Sequence, residues 1–73
     1  MSYIANTIHH YPLAVEMCCD DDARPVWERY SWADWADGNE DISAWVGLQI
    51  ATNGVCKVGG GAAPQFTVRR ARA

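Results

Sequence analysis

Ile42-Ser-Ala-Trp45-Val-Gly47-Leu-Gln-Ile50-Ala-Thr-Asn53-Gly54-Val55-Cys-Lys-Val58 supports two incompatible readings, and the choice between them decides the fold. Asn53-Gly54, set between Val46, Leu48, Ile50 on one side and Val55, Val58 on the other, is the strongest short-range hairpin signal, because a type I′ turn needs positive φ at both central residues. The same stretch also fits a helix. Ile42, Trp45, Val46, Gln49 and Ile50 share one stripe, Asp41 can cap it, and Gly54 can end the last turn. The hairpin is preferred, since Gly47 weakens a helix centre by about 1 kcal/mol and the β-branched content suits a strand.

Upstream, Asp22 followed by Pro25 is a helix-start signal, with carboxylates near the positive end of the helix dipole and a proline suited to the first turn. The spacing predicts a helix over 25–36, with Trp27, Tyr30 and Trp35 on one face, Glu28, Arg29 and Asp37 outward, and Gly38-Asn39 ending it. Residues 11–19 form an apolar run bounded by Pro12 and by Asp20-Asp21-Asp22, which reads as a strand. Residues 1–10 read as a short strand or an arm.

Downstream, Gly59-Gly60-Gly61-Ala62-Ala63-Pro64 reads as a flexible connector. Residues 65–70 alternate, with Phe66 and Val68 on one face, and residues 70–73 read as a frayed basic tail. The expected architecture over residues 1–73 is a single small α+β domain. It has an antiparallel sheet with strands near 11–19, 45–52, 55–59 and 65–70, and one helix near 25–36 packed on it.

A chain of 73 residues with 49% hydrophobic content and four tryptophans is globular in composition, and bulky rings suit a short chain that has little core to bury. No stretch approaches the roughly 20 apolar residues of a membrane helix, and residues 1–10 lack a secretory pattern. The expected location is the cytoplasm, with no membrane partner. Cys18, Cys19 and Cys56 are an odd number, and the first two are adjacent, so no disulfide framework is expected.

Charge is distributed unevenly. All nine carboxylates precede residue 42, and with Arg24 and Arg29 they make residues 1–56 worth −7; Lys57, Arg69, Arg70 and Arg72 make residues 57–73 worth +4, which together give the overall −3. Such asymmetry points to a charged partner or to another copy of the same chain.

Catalytic and metal-binding patterns are not signalled. His9, His10, Cys18, Cys19 and Cys56 include zinc-ligand types, but adjacent pairs diverge along a strand and lack the separation a tetrahedral site uses. A cysteine nucleophile would need an orienting group and an oxyanion hole. The glycine run lacks the Lys-Ser/Thr that would follow in a phosphate loop. The chain is therefore read as a non-enzymatic binding protein, with no cofactor and no metal.

The distinctive segment is Tyr30-Ser-Trp32-Ala-Asp34-Trp35-Ala-Asp37-Gly-Asn-Glu40-Asp41, where rings alternate with carboxylates. A surface tryptophan is an efficient anchor, and surrounding carboxylates steer it toward a basic surface and can mimic the phosphates of a nucleic acid. The candidate partner-binding residues are Asp20, Asp21, Asp22, Trp32, Asp34, Asp37, Glu40 and Asp41. Trp32, off the helical stripe, is the candidate anchor; the other rings are expected in the core. Arg69, Arg70 and Arg72 are candidates for contact with phosphate or with an acidic partner, although a pI near 5.0 argues against direct nucleic-acid binding.

The run from Trp32 to Asp41, on a tiny chain without catalytic motifs, resembles the small anti-defence proteins of phages, including some anti-CRISPR and antirestriction proteins. That resemblance carries no functional residue across. It implies an inhibitor, acting in the host cytoplasm, that occupies a basic nucleic-acid-binding groove on a bacterial defence complex. The alternatives are an assembly module that pairs the acidic middle of one copy with the basic end of another, and a nucleic-acid-binding protein using the C-terminal arginines.

Overall fold

A computed structural model of the chain describes residues 11–72; the arm expected at residues 1–10 lies outside the described residues. The elements run β1 (Ala14–Cys19), β2 (Glu28–Ser31), α1 (Trp32–Asp37), α2 (Ser43–Asn53), β3 (Val55–Gly60) and β4 (Ala63–Arg70). The four strands form one antiparallel sheet in the order β2-β1-β4-β3. The expected α+β class with a small antiparallel sheet is what the chain adopts, but four segments take a different structure from the one the sequence suggested.

The first correction is the helix expected over 25–36. Glu28–Ser31 is a strand that pairs with β1, Val15 standing opposite Tyr30 and Glu16 opposite Arg29. The helix begins only at Trp32, where the Ser31 side chain accepts a hydrogen bond from the Asp34 backbone N–H. A serine cap of this kind satisfies one of the first-turn donors that have no partner inside the helix.

The second correction is at 45–52, which is helical. Gly54 closes α2 with φ of 84°, and its N–H bonds the Ile50 carbonyl. Gly47 is tolerated because the helix needs its missing side chain: a Cβ there would lie 2.5 Å from the Tyr11 ring and 3.3 Å from Trp32. Close approach of those rings offsets the intrinsic cost of a mid-helix glycine.

The third correction concerns 59–64, expected as a flexible connector. Gly59 and Gly60 belong to β3, Ala63 and Pro64 to β4, and Gly60 stands opposite Ala63 across a two-residue turn. Gly59, Gly60 and Gly61 all have positive φ, and the register shifts between the first two. The glycines therefore build a bulge and a tight turn, geometries that L side chains resist. Nor is the segment after β4 frayed: the Ala71 N–H bonds the Ala14 carbonyl at 2.9 Å, and the Arg29 guanidinium bonds the Arg72 carbonyl at 2.7 Å.

Both helices cover one face of the sheet. The register aligns Val15 and Met17 of β1 with Tyr30 of β2, Phe66 and Val68 of β4, and Cys56 and Val58 of β3. On that face Val15, Trp35, Val46, Ile50, Cys56 and Val68 form the core, with Met17, Tyr30, Trp32 and Val58 packed around it. The opposite face carries Glu16, Arg29, Lys57, Thr67 and Arg69. The molecule is thus a two-layer domain with an apolar seam and a polar open sheet.

Candidate functional site

The candidate partner-binding residues do not form one surface. Asp20 is held by its own fold: its Oδ2 lies 2.9 Å from Lys57 Nζ, and its Oδ1 accepts the Thr67 hydroxyl, which in turn accepts from Lys57 Nζ at 2.7 Å. Those bonds tie the end of β1 to β3 and β4. The Thr67 hydroxyl first, and the Lys57 ammonium second, hold the Asp20 carboxyl below its ordinary range. Asp21 and Asp22 are exposed in the β1–β2 connection.

A depressed carboxyl stabilises the folded state above its unfolded pKa, and that stabilisation is lost as pH falls through the folded value. Unfolding midpoints of the native chain should therefore drop more steeply below about pH 4 than those of an Asp20→Asn variant. Parallel slopes from circular dichroism between neutral pH and strong acid would contradict the role given to Asp20.

Asp34, Asp37, Glu40 and Asp41 form the second group, on α1 and on the turn leading into α2, all on exposed residues. No lysine or arginine occurs between positions 30 and 56, so this side of the helical layer carries unbroken negative charge. Among the described residues the two ion pairs engage Asp20 and Glu16, both on the sheet side.

Trp32, the candidate anchor, is partly buried. Its ring stacks on Trp35 with centroids 5.6 Å apart, lies 5.2 Å from the ring of Tyr11, and packs against the core. The exposed tryptophan is Trp45, at 50%, with Leu48 at 48% and Ile42 at 36% beside it along α2. Residues three apart lie on neighbouring turns, so these side chains follow one outward stripe while Val46, Gly47 and Ile50 face the core. Sequence reasoning placed Trp45 with Val46 and Ile50; the signal it missed was Gly47, which marks the buried side of the helix.

The C-terminal arginines are split by strand alternation. Arg69 turns to the open face, where its Nε donates to Glu16 Oε1 at 3.0 Å and its guanidinium lies 3.6 Å from the centroid of Trp27. Arg70, one position on, lies instead beside a cleft with Arg29. The two cannot serve one ligand side by side as a contiguous basic run would.

The cysteines are free thiols, Cys18 and Cys56 buried and Cys19 half-buried. Burial pushes the Cys56 thiol up, which suits a packing role rather than a nucleophile. Among the described residues no group of three His, Cys, Asp or Glu side chains could hold a metal, and no helix is long and apolar enough to cross a membrane. No protein-family model, curated protein or solved structure matches this chain.

Proposed function

We propose that this protein works by binding a basic surface on another protein through its helical layer, and that it catalyses no reaction. The observation that carries this reading is a half-exposed Trp45 flanked by Ile42 and Leu48, in a helical layer that also bears the exposed Asp34, Asp37, Glu40 and Asp41 with no cation between them in sequence. Large rings dominate interface energetics when desolvated at the centre of a contact. Rim carboxylates contribute association rate and partner choice more than affinity. A groove that normally holds phosphate offers both complements, a basic rim and flat surfaces for a ring, which is consistent with an inhibitor of a nucleic-acid-binding defence complex.

Pairing of two copies face to face through α2 is disfavoured, because it would oppose like charges. Self-association would instead set the acidic layer of one copy against Arg29, Lys57 or Arg69 on the open sheet of the next. Such head-to-tail contact would appear in light scattering as salt-sensitive growth in mass with concentration.

Affinity capture from the cells that express the chain, compared across variants, tests the proposal. A specific partner should be retained by the native chain at low salt and lost with Trp45→Ala and with the double change Asp37→Lys, Asp41→Lys. Both changes fall at exposed positions, where stability moves by about 0.5 kcal/mol or less, so folding is not the readout. A partner held equally by all three proteins, or none held by the native chain, would refute it.

A further inference from the structure

We draw no further inference here: the strongest candidate, the open face of the sheet where the Arg69 guanidinium lies over Trp27 beside Arg29 and Lys57, carries nothing, because Arg69 and Lys57 are engaged by Glu16 and Asp20, Arg29 by the Arg72 carbonyl, and nothing in the structure shows what covers that face.

Discussion

Trp35→Ala should remove a large part of the folding free energy of the chain. Trp35 is 3% exposed and lies at the centre of the core, touching both layers and the stacked ring of Trp32. Truncating a buried tryptophan costs about 3–5 kcal/mol, and a domain of this size has roughly 4–11 kcal/mol in total. Trp35→Phe should be milder, because it keeps most of the ring and removes an indole N–H that is buried without a hydrogen-bond partner. Far-ultraviolet circular dichroism and urea titration would read both. A Trp35→Ala chain with native-like cooperative unfolding would show that the core lies elsewhere.

Gly59→Ala should be the most damaging single methyl addition in the β3–β4 hairpin. The residue has φ of 83°, and a Cβ there would run into the Pro64 backbone carbonyl, which cannot swing aside as a side-chain end can. Positive φ alone costs an L residue about 1–2 kcal/mol, and forced overpacking adds roughly 1–3 kcal/mol. Gly61→Ala is the internal control. Its φ is also positive, at 62°, but the added methyl meets nothing within 4 Å, so only the conformational part, about 1–2 kcal/mol, should appear. Urea midpoints that fall equally for the two variants would refute the bulge geometry.

Much of the architecture was legible from residue patterns. Residues 11–19 and 65–70 announce strands by apolar content and alternation, although the first begins only at Ala14, and an antiparallel α+β arrangement follows from short connections. Asn53-Gly54 was the ambiguous point for a physical reason. A type I′ turn and a helix C-terminus both require a glycine at positive φ, so the dipeptide marks the bend without saying what precedes it. What resolves it is the partner of β3, since residues 63–70 already supply the neighbour that residues 45–52 would otherwise have to provide.

The helix expected over 25–36 is realised only from Trp32, because the Trp27 and Tyr30 spacing fits a strand and a helix alike. Ser31-Trp-Ala-Asp34 carries the pattern of a capped helix start, and it is the local signal for α1, which begins seven residues later than Pro25 suggests. At the candidate site, charge was legible and exposure was not. The run of carboxylates through Asp41 could be read directly, whereas the choice between Trp32 and Trp45 as the surface ring depended on Gly47, whose bare backbone receives Tyr11 and Trp32.

The pairing of β1 with β4 has a kinetic side. Arg69 meets Glu16 across 53 positions of chain, whereas β3 and β4 are joined by a two-residue turn. Closing the longer loop forfeits chain entropy before any of its contacts exist, and topologies dominated by distant pairings cross their barrier slowly. Docking of the β1–β2 half on the β3–β4 half is therefore the step expected to set the pace of folding.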